Sequence, residues 1–247
     1  MRSFDEALQA VSEVEGWMSP DQAERLYRAA AGTHAGETIV EIGSFRGRSA
    51  IVLASAMPSG VTLVAIDPHA GNDRGPQEFD GFQEAAATDH EVFNANLAAA
   101  GVADRVRHVR AFSDAAHAEV QGEPAVLYID GAHRYAPART DIRDWGARVA
   151  PGGTLLIHDS FSSLGVTLAI GRELMFGKRF RYVGRARSLT EYRADLDGTL
   201  RSRLGNSARQ LAQLPWFVKN LMVKVLISAK LGGVLKKFTG RDSEWPY

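Results

Sequence analysis

The stretch TIVEIGSFRGRSAIVLASAM (residues 38–57), followed at once by VTLVAID (61–67), decides the fold. Each apolar run is short, rich in β-branched and aliphatic side chains, and free of polar alternation. Such runs read as parallel strands buried on both faces. The helix-like GRSAIVLASAM joins them, so the unit is strand, helix, strand. The same unit then recurs. RVRHVRA (105–111), AVLYID (125–130) and TLLIHD (154–159) are further strands, separated by HEVFNANLAAAG, a short helical SDAAHAEV and YAPARTDIRDWGARV. This order predicts an α/β fold, a doubly wound and mainly parallel Rossmann-like sheet. FRYVGR (180–185) and LTEYRA (189–194) add an antiparallel edge hairpin.

Working outward, Ser19 is placed to cap a helix that starts at Pro20, with Trp17, Leu26 and Tyr27 packing it on the body. The α/β domain is expected over residues 1–200, and a basic, apolar helical tail over 201–247. Length alone allows one large domain or two small ones. At 45% hydrophobic and 23% charged residues, the composition excludes wholesale disorder. The absence of cysteine removes disulfides, thiolate zinc sites, iron–sulfur clusters and a cysteine nucleophile.

The 29 basic and 29 acidic residues cancel, which argues against nucleic acid as a partner. The balance hides an asymmetry. Nine basic residues against two acidic ones leave residues 201–247 at +7 and residues 1–200 at −7. The N-terminal MRSFDEALQAVSEVEG is acidic and lacks the apolar core of a signal peptide. Lys219, Lys224 and Lys230 interrupt the apolar run 214–231, so it does not read as a membrane span. A soluble, cytoplasmic protein is the expectation. For residues 206–238 three readings stand side by side: an interfacial helix at the inner membrane face, anchored by Trp216 and Phe217, a helix packed on the body or on a second subunit of a homo-oligomer, and a solvated charged face.

In open parallel sheets, ligands bind beyond the carboxyl ends of the strands. Those ends carry Glu41-Ile42-Gly43, Asp67-Pro68-His69, Phe112-Ser113-Asp114, Asp130 through His133, and His158-Asp159-Ser160. The turn EIGSFRGRS (41–49) is glycine-rich and opens a helix, so backbone can approach a ligand and free N–H groups face it. It matches neither G-x-G-x-x-G nor a P-loop. An acid about twenty residues later, Asp67, suits two ribose hydroxyls, which points to a nucleoside-containing cofactor. Asp130 and Asp159, at adjacent strand ends, suit a hard cation such as Mg²⁺. His133, three residues beyond Asp130, is a fit general base at neutral pH.

These motifs resemble the class I S-adenosylmethionine-dependent methyltransferases, and within them the subgroup known as family 24. That subgroup includes metal-dependent sugar O-methyltransferases and relatives grouped with cephalosporin hydroxylases. The resemblance rests on VEIGSFRGRSA, AIDPH, YIDGAHRY and the segment from Asp141 through PGGTLLIHD, with GWMSPDQAERLY and YVGRARSL, and covers about residues 15–195. It implies S-adenosylmethionine in the first crevice. Glu41, Gly43, Ser44 and Ser49 would surround its methionine part, Asp67 its ribose, and Phe112 with Ser113 its adenine. Asp130 is open to two roles, partner of the cofactor's amino group and metal ligand with Asp159. The metal would chelate a substrate diol and His133 would take the proton. His158 stands where some metal-dependent relatives have an acid, and strand alternation turns it away from Asp159 into a buried role.

The long polar segment 69–91 reads as a substrate lid. Its Asn72, Asp73 and Arg74 suit a polar acceptor, a small molecule, sugar or glycolipid, and His69 would roof the pocket. Trp145 reads as packing. The function expected is O-methylation of a hydroxyl with S-adenosylmethionine and Mg²⁺. Two rivals stand beside it: a metal-independent enzyme using His133 alone, and a non-catalytic cofactor-binding scaffold held at a membrane by the tail.

Overall fold

Alternation along buried strands sends successive side chains into two cores. Ile39, Leu63, Ala65, Val126, Tyr128 and Leu156 enter the first. Val40, Ile42, Val64, Ile66, Leu127, Ile129, Leu155 and Ile157 enter the second. The computed structural model describes residues 1–71 and 87–228. Its strands are β1 (Thr38–Ile42), β2 (Thr62–Ile66), β3 (Val106–Val109), β4 (Val126–Ile129), β5 (Thr154–Ile157), β6 (Arg181–Ala186) and β7 (Leu189–Arg193). They form one sheet in the order β3-β2-β1-β4-β5-β7-β6. The first five are parallel, and β7 runs antiparallel to both β5 and β6. The doubly wound sheet with an antiparallel edge hairpin is therefore present as the sequence predicts.

The first core is covered by α1 (Phe4–Ala10), α2 (Pro20–Ala31), α3 (Arg48–Ala56) and α4 (Asp89–Ala99). The second lies under α5 (Tyr135–Thr140), its π-type continuation Asp141–Trp145, and α6 (Leu164–Glu173). Ser19 caps α2 with Pro20 at the first position, and its backbone N–H donates to Gln22 Oε1 at 2.8 Å. Leu26 is fully buried there. Trp17 departs from expectation: it is 42% exposed and stacks on Phe45 at 5.7 Å. It precedes the helix and lies across the turn after β1 instead of beneath α2. SDAAHAEV also departs. With only Ala116 and Val120 to bury, it forms two 3₁₀ turns, Ser113–Ala115 and His117–Glu119.

The tail helices α7 (Leu200–Leu211) and α8 (Leu214–Ser228) pack on the body. Asn206 of α7 accepts from the Tyr182 N–H at 2.7 Å and donates to the Phe180 carbonyl at 3.0 Å, completing the backbone of β6. Trp216 and Phe217 lie against the second core, with the Arg185 guanidinium 3.8 Å from the Trp216 ring centre. Asn220 donates to the Phe161 carbonyl at 3.1 Å. The two aromatic residues expected to anchor a membrane are thus engaged by protein. Residues 229–238 of the expected membrane segment lie outside the described residues. Among the described residues, no helix is long and apolar enough to cross a membrane.

Asn206→Ala should cost about 1–3 kcal/mol of stability, because it strands a buried N–H and a buried carbonyl. Denaturant unfolding of the variant against the parent chain measures this directly.

Candidate active site

From β1 the chain steps outward to β2 and β3, then crosses back to β4 on the other side of β1. The crevice opens at that reversal, beyond Ile42 and Ile129. Gly43 makes it possible. Its φ is 85°, and a Cβ there would lie 2.1 Å from the Asp130 carbonyl oxygen. The turn after β1 and the loop after β4 therefore touch backbone to backbone, as no other residue type would permit. Gly47, at φ 88°, then starts α3.

Asp67 braces this turn. Its Oδ2 accepts the Phe45 N–H and its Oδ1 the His69 N–H, both at 2.8 Å. Each oxygen keeps a lone pair for a further donor. Gly43, Ser44, Ser49, Asp67, Phe112, Ser113, Asp130, His133 and Asp159 line one pocket of about 790 Å³. Glu41 lies beneath it instead, fully buried, with the Ser49 hydroxyl donating to it. Burial, and then the charges of Asp130 and Asp67, push its carboxyl up to about 8.

That shift has a sign. The folded chain holds a proton that the unfolded chain gives up near 4.5, so stability from this group falls as pH rises from about 4.5 to 8. Glu41→Gln should remove that part of the slope. Thermal unfolding of both proteins at several pH values tests it, and parallel curves would refute the assignment.

At the far end of the pocket Phe112 is 52% exposed, so its ring is available to a ligand and not part of the core. The Ser113 hydroxyl donates to Asp141, and Trp145 Nε1 donates to the Ser113 carbonyl at 3.1 Å. Trp145 is buried packing, as expected, and it also fixes Ser113. Asp141 received no role from the sequence. It lines the pocket, and burial raises its carboxyl to about 6.

The second constellation gathers beyond β4 and β5. His133 Nε2 lies 2.8 Å from Asp159 Oδ2. His158 Nδ1 lies 3.1 Å from Asp130 Oδ1 and 3.4 Å from Asp159 Oδ2. His158 is buried as expected, yet it does not turn away from Asp159. Asp159 has left the strand and adopts φ 53°, which breaks the alternation and brings both side chains to one place. Burial opposes charge on His158, but the two carboxylates raise it well above the ordinary histidine range. Burial likewise opposes charge on Asp159, but His133 and His158 hold it well below the usual carboxylate range. Tyr128 donates its hydroxyl to Asp130 at 2.8 Å, and burial raises that hydroxyl well above its ordinary value.

Two further features were missed by sequence reasoning. Lys224, from α8, lines the same pocket, and burial lowers its ammonium despite the nearby Asp159. Its only signal was membership of a basic tail. The other is a trio of imidazoles, His69, His90 and His108, beside Asp67. Burial and the neighbouring imidazoles hold His108 at about 4. His69 lines the pocket. Asn72, Asp73 and Arg74 lie outside the described residues.

Sheet order and crevice are those of the Rossmann-like methyltransferase fold. More narrowly, residues 40–160 match the model of family 24, described as a methyltransferase domain. Three solved structures show the same fold at low identity. The O-methyltransferase NovP is 16% identical with a TM-score of 0.58, over 72% of this chain and 81% of that one. TomG from Streptomyces achromogenes, an O-methyltransferase involved in tomaymycin synthesis and solved with SAM, is 20% identical with a TM-score of 0.53, over 78% and 89%. An O-methyltransferase from Bacillus cereus in complex with SAH is 17% identical with a TM-score of 0.51, over 77% and 90%.

Proposed function

We propose that the chain transfers the methyl group of S-adenosylmethionine to a hydroxyl of a polar small molecule, with His133 as the base. The observation that carries this reading is one pocket holding both Asp67, its carboxylate already oriented by two backbone N–H groups, and the His133–Asp159 pair. The TomG structure in complex with SAM and the Bacillus cereus structure in complex with SAH support S-adenosylmethionine as the cofactor. Gly43, Ser44 and Ser49 line the methionine end, with Glu41 behind Ser49. Asp67 takes the ribose hydroxyls. Phe112 stacks on the adenine, and Ser113 with Asp141 meets its polar edge.

The acceptor's oxygen attacks the sulfonium methyl in line, the carbon–sulfur bond breaks to leave S-adenosylhomocysteine, and the hydroxyl proton passes to His133. Asp159 orients the imidazole and stabilises the imidazolium that forms, as an acid does behind a catalytic histidine. Most of the acceleration comes from holding two reactants in line. Lys224, on the acceptor side, favours an acceptor with an anionic or strongly polar group near the methylated hydroxyl.

The donors of Asp130, His133 and Asp159 lie within 4.8 Å of one another, and two carboxylates with an imidazole fit a divalent cation. Such an ion, held by Asp130 and Asp159, would lower the pKa of the acceptor hydroxyl. His158 Nδ1 already faces both carboxylates, which favours His133 acting without metal. Calorimetric titration with S-adenosylmethionine and S-adenosylhomocysteine, with Mg²⁺ and then with EDTA, tests both points. Micromolar binding that survives EDTA supports the cofactor site, and a Mg²⁺ heat lost in Asp159→Ala supports the metal. Absence of binding under every condition would overturn the reading.

A further inference from the structure

Three imidazoles from three elements converge beside the cofactor crevice. His69 follows β2 in a left-handed turn at φ 48°, His90 stands in the first turn of α4, and His108 lies in β3. Each offers a ring nitrogen within 4.8 Å of those of the other two. Ring centres are 4.8 Å apart for His69 and His108, 5.0 Å for His90 and His108, and 5.6 Å for His69 and His90. Phe93 closes one side, 4.8 Å from His108 and 5.4 Å from His69.

Hydrogen bonding selects the nitrogens on offer. His69 Nε2 lies 2.7 Å from the Phe45 carbonyl oxygen and His108 Nε2 lies 3.2 Å from the Asp67 carbonyl oxygen. A carbonyl only accepts, so both Nε2 atoms carry protons and both Nδ1 atoms keep their lone pairs. An imidazole whose far N–H is held by a carbonyl is the arrangement that orients metal-ligating histidines. Among the described residues, His69 Nδ1 and His90 Nδ1 are buried without a hydrogen-bond partner, while His90 Nε2 lies 3.2 Å from Asn94 Nδ2. A cation would satisfy the two Nδ1 atoms together, with the Asn94 amide turned so that its oxygen accepts the His90 Nε2 proton.

We propose that His69, His90 and His108 form a binding site for a divalent transition metal of the zinc class. Among the described residues the cluster offers three imidazoles and no carboxylate, a set that suits Zn²⁺, with a fourth position for water, and does not suit Mg²⁺ or Ca²⁺. Zinc–nitrogen bonds of about 2.0–2.1 Å require the nitrogens to draw closer and the rings, inclined to one another by 29°, 30° and 48°, to turn on binding. The site differs from the Asp130–His133–Asp159 cluster in ligands and place. Its ion would tie β3 and α4 to the loop that carries Asp67, and so stiffen the ribose side of the crevice. His69 reaches the Phe45 carbonyl while Asp67 holds the Phe45 N–H, so the same turn is gripped from both ends.

The test uses the full chain, stripped with chelator and titrated with Co²⁺ as the visible substitute for Zn²⁺. The parent protein should develop the absorption of tetrahedral cobalt, and one equivalent of Zn²⁺ should abolish it. Asp159→Ala should retain the signal. His90→Ala should weaken binding by roughly 100-fold or more, since even supporting groups around a metal contribute 10–100-fold. His108→Leu gives an independent second loss, and metal-free thermal unfolding of each variant shows that it is folded. No cobalt band in the parent, a band that survives His90→Ala and His108→Leu, or a band lost only in Asp159→Ala would each overturn the proposal. These readouts involve no methyl transfer, so they stand or fall apart from the proposed activity.

Discussion

Replacing His133 by alanine lowers methyl transfer by about 10²–10⁴-fold, the range a positioned general base supplies. Affinity for S-adenosylhomocysteine should stay close to the parent's, because the substitution leaves the proposed ribose and adenine groups, Asp67, Phe112 and Ser113, in place. The surrounding loop also stays in place, since it is held by its backbone and not by the imidazole. Ser163 donates to the His133 carbonyl at 3.2 Å, and Gly165 passes so near that a Cβ would lie 2.1 Å from that oxygen. The variant therefore separates chemistry from binding. Single-turnover transfer with an acceptor found by screening measures the first, and calorimetry the second. Turnover at the parent rate would remove His133 as the base.

Asp67→Ala weakens S-adenosylmethionine binding by roughly 100-fold or more. Two hydrogen bonds to a charged carboxylate contribute about 1.5–3 kcal/mol each, and each 1.4 kcal/mol is about tenfold in affinity. The alanine also releases the Phe45 and His69 N–H groups, so the loop loses its brace along with the ribose contact. Asp67→Asn distinguishes the two losses. Its amide oxygen still accepts one of the backbone N–H groups, and binding should fall between the parent and the alanine variant. Unchanged affinity in both would refute the assignment of the end of β2 to the ribose.

The sheet was legible because its strands are buried on both faces, so TIVEI, TLVAI and VLYI carry unbroken apolar runs. Strand ends in such a sheet converge by geometry, so Asp67, Asp130 and Asp159 could be placed at one edge before any side chain was seen. The relation of His158 to Asp159 could not be read. It depends on a left-handed backbone at Asp159, which leaves no mark in a non-glycine residue. Asp141 escaped because its partner Ser113 comes from a separate segment, 28 residues earlier in the chain. Lys224 escaped for a related reason: a charge in an apolar helix has the same local sequence whether the helix meets lipid, water or protein. His69, His90 and His108 are spaced without any metal-ligand periodicity, and only the pairing of β2 with β3 and the seating of α4 bring them together.

The placement of Lys224 on α8 also sets an order of birth on the ribosome. The turn after β1, the acid after β2 and the ends of β4 and β5 are all translated by residue 160. Lys224 follows only 64 residues later, a lag of about 3–13 s at bacterial-to-eukaryotic elongation rates of roughly 5–20 residues per second. During that lag the nascent chain holds the crevice's acids in its translated part but not the wall that α8 contributes.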